Sequence, residues 1–227
     1  MLTRIVHENR PVTLIGGGKV KKSLLRAAIV HAPGVVCADG GARAALKAGL
    51  EPLAVIGDFD SIDAKTRAAI APERLHPVEE QDSTDFEKAL RAIEAPLVIG
   101  VGFHGGRVDH QLAALHGLLR YPERRVVLLS GQDAVFLLPP ELRLDLGTGT
   151  RVSLFPMLGV GVRSDGLRWA TEGIEFVPGG RIGTSNEAMG PVQLRADGPG
   201  MLGIVPVAEL ARVVEALLGA GAGWPAL

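Results

Sequence analysis

The chain has 227 residues, long enough for one large domain or two modest ones, and its 47% apolar but only 4% aromatic composition calls for a core of Val, Leu, Ile and Ala. Its 24 basic and 25 acidic residues nearly cancel, and no basic stripe or polybasic tract points to a nucleic acid or an anionic membrane surface. No apolar stretch has the length of a bilayer span and the N-terminus lacks a signal-peptide pattern, so a cytoplasmic protein with no nucleic-acid and no membrane partner is expected.

Residues 11–15 read as a short apolar strand running into Gly16, Gly17 and Gly18, with a helical pattern from about 21 to 30. A glycine turn between strand and helix is a natural phosphate seat. GGGKVKK, however, matches neither GxGxxG nor a Walker A loop, and a plain tight turn accounts for it. Residues 35–38 form the next strand, and Gly40 and Gly41 turn the chain at once into a helix over 42–48. Cys37, the only cysteine, falls in that strand and reads as a buried, inert thiol. A third apolar run, 53–56, ends in the acidic loop Gly57-Asp58-Phe59-Asp60-Ser61. A short helix at 64–70 and an alternating strand at 74–78 follow. Thr84 and Glu87 then have the spacing of a capping box, opening a helix to about residue 94. Next come a strand at 97–101, a glycine-rich turn at 102–107 and a helix at 108–119 with Leu112, Leu115, His116 and Leu119 on one face. A strand at 126–129 completes the series. This alternation predicts a doubly wound α/β domain with a mostly parallel sheet over residues 1–132.

Near Gly131, Gln132 and Asp133 the pattern changes. Short runs at 134–138, 142–146, 151–156, 173–176, 191–196 and 201–205 are separated by Gly, Pro and charged turns, and helical periodicity vanishes. A smaller all-β domain, a sandwich over 133–227, is expected. The exception is 207–218, where Val207, Leu210, Ala211, Val214, Leu217 and Leu218 recur at helical spacing and predict a C-terminal helix. The Gly/Ala/Pro tail from Gly219 is expected to fray.

In an open parallel sheet, ligands sit at the carboxyl ends of the strands. Asp39, Asp58 and Asp60 would meet on that edge if their strands run parallel. Clustered carboxylates beside glycine turns suit a hard cation such as Mg2+ held against phosphates. Turn and cap formation explains any one loop Asp, but less readily three placed after apolar strands. Farther on, capping accounts for Thr84, and a surface ion pair accounts for Asp85 with Lys88. Neither accounts for Gln81 and Asp82. A helix start with Lys88 would suit phosphate oxygens, and Asp82 and Asp85 would suit their metal. Arg107 could grip phosphate in a bidentate way, and Asp109 fits the first turn of a helix. His110 could serve as a general base, but a His beside a helix start is more often structural, and His104 and His116 read as structural too. Taken from the residues alone, Trp169 is a core plug, with a stacking surface as the alternative, and residues 184–187 are a turn.

The ordered set ADGGA (38–42), GDFDSI (57–62), QDSTDFEKAL (81–90), GGRVDH (105–110), GLRW (166–169) and TSNE (184–187) resembles the thiamine pyrophosphokinase family, over roughly residues 11–206. The resemblance implies a homodimer with active sites between subunits, each chain pairing an α/β catalytic domain with a β-sandwich. It implies Mg2+-dependent transfer of the pyrophosphoryl group of ATP to the hydroxyl of thiamine, giving thiamine diphosphate and AMP. By the same resemblance Asp39, Asp58, Asp60 and Asp82 handle metal and phosphate. Gln81, Thr84, Asp85, Lys88, Arg107 and Asp109 grip the nucleotide, with Gly40, Gly41 and Ser61 beside them. The resemblance marks no dedicated general base; as a hypothesis from the residues, Asp82 or Asp85 accepts the hydroxyl proton. Trp169 would stack on thiamine across the dimer interface, with Thr184, Ser185 and Asn186 nearby, which replaces the core-plug reading. Arg43 stands where the family often has Asn, and the helix after Val207 departs from its usual strand-ended C-terminus. A pyrophosphokinase for another hydroxymethyl acceptor such as a pterin is the first alternative. A non-catalytic nucleotide or thiamine sensor is the second, and a hydrolase the third.

Overall fold

The computed structural model describes residues 4–80 and 82–226. The chain divides into two units, residues 1–117 with 128–131, and residues 118–127 with 132–227. In chain order the elements of the first half are β1 (Val6–His7), β2 (Val12–Ile15), α1 (Lys22–His31), β3 (Gly34–Ala38), α2 (Gly41–Lys47) and β4 (Ala54–Gly57). They continue with α3 (Ala64–Ala68), β5 (Leu75–Pro77), α4 (Asp85–Ala92), β6 (Ile93–Glu94), β7 (Val98–Val101), α5 (Val108–Arg120) and β8 (Val126–Ser130).

The sheet of the first unit has the order β8-β7-β2-β3-β4-β5, and the ladders from β7 through β5 are all parallel. Every residue of β2, β4 and β7 is buried, as a sheet covered on both faces requires. Cys37 lies in this layer, and burial pushes its thiol up to about 12, which leaves it inert. The chain runs from β2 outward through β3, β4 and β5, then returns on the other side of β2 as β7. The crevice of this sheet therefore lies where the glycine turns after β2 and β7 meet. There Gly18 N donates to Gly102 O at 3.0 Å, and a Cβ on Gly18 would stand 2.5 Å from that same oxygen. The approach excludes any side chain.

Two local expectations need correction. Helix α4 ends at Ala92 rather than near residue 94, because Ile93 turns extended and β6 pairs in parallel with β1. In α5 the inward face is Ala114, Gly117 and Leu118 with Leu119, whereas Leu112 is 59% exposed and His116 lies on the surface. The Phe86 ring sets that rotation. It lies where a Cβ on Gly117 would fall, at 2.8 Å, so the glycine must face it.

The second unit contains β9 (Asp133–Leu137), β10 (Glu141–Leu144), β11 (Arg151–Pro156), β12 (Val160–Leu167), β13 (Glu175–Phe176), β14 (Gly183–Ala196) and β15 (Met201–Pro206). These form an antiparallel ladder in the order β9-β15-β11-β14-β12-β13, with β10 also on β14. The first part of β14 pairs with β11, and the part beyond Pro191 is flanked by β10 and β12. Residues 184–187 are thus strand rather than turn. Strand β12 has no continuous apolar run; only Val160, Val162 and Ser164 alternate inward, so composition conceals it.

The C-terminal helix is present as α6 (Leu210–Gly219), preceded by a short 3-10 turn, Val207–Glu209. It buries Leu210, Val213, Val214 and Leu217, each worth about 1.5–3 kcal/mol by area. The tail is tied down rather than frayed. Arg125 donates to the carbonyls of Ala220 and Gly221, both at 3.0 Å, and Trp224 Nε1 donates to Leu138 O at 2.8 Å. Among the described residues no helix is long and apolar enough to cross a membrane.

Candidate active site

Strands β3 and β4 are parallel, with Val36 opposite Ala54, so the residues that follow them emerge on one edge. Asp39 continues the ladder by donating its N–H to Ile56 O at 2.9 Å, then adopts a left-handed backbone with φ 41°. Helix α2 starts two residues later, against the end of β2; a Cβ on Gly41 would lie 2.0 Å from Ile15 O. After β4, Phe59 is also left-handed at φ 65°, and Asp58 and Asp60 flank it. The third non-glycine residue of this kind among those described is Ser185, at φ 62°. Such conformations cost about 1–2 kcal/mol each, and here all three fall within motifs singled out for chemistry.

Asp39, Asp58 and Asp60 bring one carboxylate oxygen each within 4.8 Å of one another. Asp39 is 3% exposed. Its Oδ2 accepts from Ser61 N at 3.3 Å, while Oδ1 is buried with no hydrogen-bond partner. Asp58 Oδ1 accepts from Asp60 N at 3.3 Å, and Asp60 Oδ1 accepts from Ser61 Oγ at 2.8 Å. Arg43 steadies this loop, donating to Asp63 at 3.1 Å and to Ser61 O at 3.4 Å.

Helix α4 delivers the cation. The capping box forms as its spacing predicts, Thr84 Oγ1 accepting from Glu87 N at 3.3 Å and Glu87 Oε2 accepting from Thr84 N at 3.1 Å. One turn in, Lys88 is 2% exposed, and its Nζ lies 3.4 Å from both Asp58 Oδ2 and Asp85 Oδ1. A buried ammonium is tolerable only with such partners. Burial pushes the Asp39 carboxyl above its ordinary value, and the charge of Asp85 adds to the rise. Burial raises Asp85 too, with Lys88 pulling the other way and Asp58 adding to the rise. An orphaned, buried carboxylate oxygen on Asp39, with two further carboxylates within 4.8 Å, is a donor set short of positive charge, and it fits a hard divalent cation.

Asp39, Asp58, Asp85 and Lys88 open on a cavity of about 500 Å3, and Asp60 is not among the residues that line it. Asp39, Gly40, Asp58 and Ser61 line one part of it, and Thr84, Asp85, Lys88 and Arg107 another. Gly41, the first residue of α2, is not among the lining residues. Arg107 and Asp109 are exposed and grip each other, Nε to Oδ1 at 3.1 Å and Nη2 to Oδ2 at 2.5 Å, which holds Asp109 down at about 2. Asp82 is exposed, donates its N–H to Glu80 at 2.9 Å and does not belong to the three-carboxylate cluster. Gln81 lies outside the described residues.

The cavity also takes in Gly17 and Gly18, whose strand–glycine–helix order suggests a phosphate seat as well as a plain turn, His104 and His110, which read as structural in the sequence, and Phe103, which no sequence signal singles out. His104 Nδ1 sits 3.0 Å from Gln111 Nε2, and burial pushes its imidazole below the ordinary value.

In the second unit Trp169 is 53% exposed, which corrects the core-plug reading, and the Arg168 guanidinium lies 4.9 Å from its ring centroid. The buried Asn186 amide clamps its backbone. Trp169 N donates to Oδ1 at 3.1 Å, and Nδ2 donates to Trp169 O at 2.7 Å. Thr184 and Ser185 are exposed beside it on β14, and Ser185 N donates to Ser153 Oγ at 3.1 Å.

A family profile described as thiamin pyrophosphokinase, catalytic domain, matches residues 25–128. The chain is 30% identical to thiamine pyrophosphokinase 1 of Oryza sativa subsp. japonica over 185 residues, 66% of this chain and 70% of that one. Its fold is that of the thiamin pyrophosphokinase of Geobacillus thermodenitrificans (TM-score 0.73, 24% identity, 86% of this chain and 96% of that one). The yeast thiamin pyrophosphokinase also shares it (TM-score 0.72, 17% identity, 92% of this chain and 90% of that one). By sequence along most of a curated relative, and by fold, the chain belongs to the thiamine pyrophosphokinase family.

Proposed function

We propose that this chain transfers the pyrophosphoryl group of ATP to the hydroxyl of thiamine, and that the acidic cavity of the first unit carries the chemistry. The observation that supports it most is the trio Asp39, Asp58 and Asp60 with the unpartnered Asp39 Oδ1, set beside the buried Lys88. Asp39, Asp58 and Asp60 would hold Mg2+, which when bound supplies positive charge to the phosphate oxygens. The glycine turns at Gly17–Gly18 and Gly40 leave room for phosphate against the backbone, and Lys88 sits beside the cation seat as a fixed charge. Arg107, in exchanging Asp109 for phosphate, would add a bidentate grip.

In the reaction the thiamine hydroxyl oxygen bonds to the β-phosphorus, the bridge from that phosphorus to the α-phosphate oxygen breaks, and AMP leaves. Asp85, in the cavity and paired with Lys88, is placed to accept the hydroxyl proton; Asp82, outside the cavity lining, is the weaker choice. The exposed Trp169 face would stack the cationic thiazolium ring. Phe155, Leu158, Val177, Ile182 and Met189 leave further apolar surface on the same unit, which supports a homodimer in which Trp169 serves across the interface. The test is AMP release from Mg-ATP with and without thiamine, with thiamine diphosphate followed in parallel. The two products rising together, only with both substrates present, support the reading. AMP or ADP without thiamine points to hydrolysis, and no product with thiamine overturns the reading.

A further inference from the structure

Residues 9–50 hold seven basic side chains, Arg10, Lys19, Lys21, Lys22, Arg26, Arg43 and Lys47, against one acid, the buried Asp39, in a chain whose net charge is −1. The fold gathers three of these cations. Helices α1 and α2 bound a second cavity, of about 400 Å3, that shares no residue with the acidic one. Leu25, Ile29 and Leu50 give it an apolar lining, and Lys22, Arg26 and Lys47 stand at its rim as exposed residues. Lys22 and Arg26 are four residues apart on α1, so they share a face. None of the three cations makes a hydrogen bond or an ion pair among the described residues, unlike Arg43 nearby, which is bound to Asp63.

Like charges gathered without counter-charge repel one another, and an apolar recess of this size between them is of the dimensions that small ligands occupy. We propose that the groove between α1 and α2 is a binding site for a small organic anion, one with an apolar ring or chain and a phosphate, sulfonate or carboxylate group. The apolar body fits over Leu25, Ile29 and Leu50, and the anionic group meets Lys22, Arg26 and Lys47 by charge-assisted hydrogen bonds. A bare inorganic anion would leave the lining uncovered. A nucleic-acid backbone would need a longer cationic track than these three side chains make.

The experiment is a fluorescence titration of the full chain with anilinonaphthalene sulfonate, an anion with such an apolar body, at saturating Mg-ATP and thiamine. One saturable site is expected to persist under those conditions. The double variant Lys22→Gln, Arg26→Gln is expected to weaken it roughly tenfold or more, while Arg181→Gln, an exposed cation of the second unit, leaves it unchanged. Thermal melts of the double variant check the fold, and its thiamine-dependent AMP release is expected to match the parent's, which separates failure of this site from failure of the catalytic reading. Absence of a saturable site, displacement by Mg-ATP, or an unchanged titration in the double variant overturns the proposal. So does a shift of oligomeric state in the double variant, which would assign the groove to a second copy of the chain.

Discussion

In the first unit charged groups are drawn inward, Lys88 to 2% and Asp39 to 3% exposure, whereas in the second an indole is turned outward, Trp169 at 53% exposure over the buried amide of Asn186. Phosphate and metal are bound by fixed charges, which gain strength when water is excluded around them. A flat cationic ring is bound by an aromatic face, which must stay open to receive it and is steadied from beneath. In one region electrostatics is stored as burial, and in the other shape is stored as exposure. Changes in the first should therefore alter chemistry and stability together, while changes in the second should alter thiamine affinity with little effect on ATP.

The sharpest test of that contrast is Asp39→Asn. We expect AMP formation to fall by roughly 10²–10³ while the melting temperature holds or rises, because a buried, partly orphaned charge is removed. A lower melting temperature would mean that Asp39 is structural. Lys88→Met should cost about 3 kcal/mol in denaturant unfolding and abolish turnover, since Asp58 and Asp85 lose their shared cation. A variant of unchanged stability would break the view that Lys88 balances this edge. Across the comparison, Trp169→Ala should raise the KM for thiamine roughly tenfold or more and leave that for ATP in place; equal losses for both substrates would erase the distinction between the regions.

Smaller effects refine the first region. His104 is buried with its imidazole held below the ordinary value, so the unfolded chain binds the proton more readily than the folded one. Its contribution to stability is present above the unfolded value, about 6.5, and is lost as pH falls through and below it. His104→Gln should flatten the decline in melting temperature between about pH 6.5 and 5. His76 is shifted the same way by burial, so part of the slope remains. Thr84→Ala should remove about 1 kcal/mol through the cap of α4, read by denaturant midpoint, and Thr84→Ser should restore it.

Much of the first unit was legible because its signals are local. Apolar runs bounded by glycine announce buried strands, and Thr84 with Glu87 announces a cap. The rotation of α5 was not legible, because Phe86 facing Gly117 decides it and no periodicity records that neighbour. The second unit was harder throughout. Strand β12 buries one residue in two with little apolar excess, and residues 184–187 look like a turn until β11 pairs with them.

The sequence by itself determined the alternation of strands and helices, the places where glycine must stand, and the order of motifs that marks the family, since each depends on neighbours within a few residues. Only the tertiary structure decided that Asp39, Asp58 and Asp60 converge while Asp82 stays outside their cluster, and that Lys88 is enclosed by Asp58 and Asp85. It also decided that Trp169 faces solvent on a clamp from Asn186. These depend on strand direction, sheet order and burial, and such quantities arise when distant segments pack and exclude water between them.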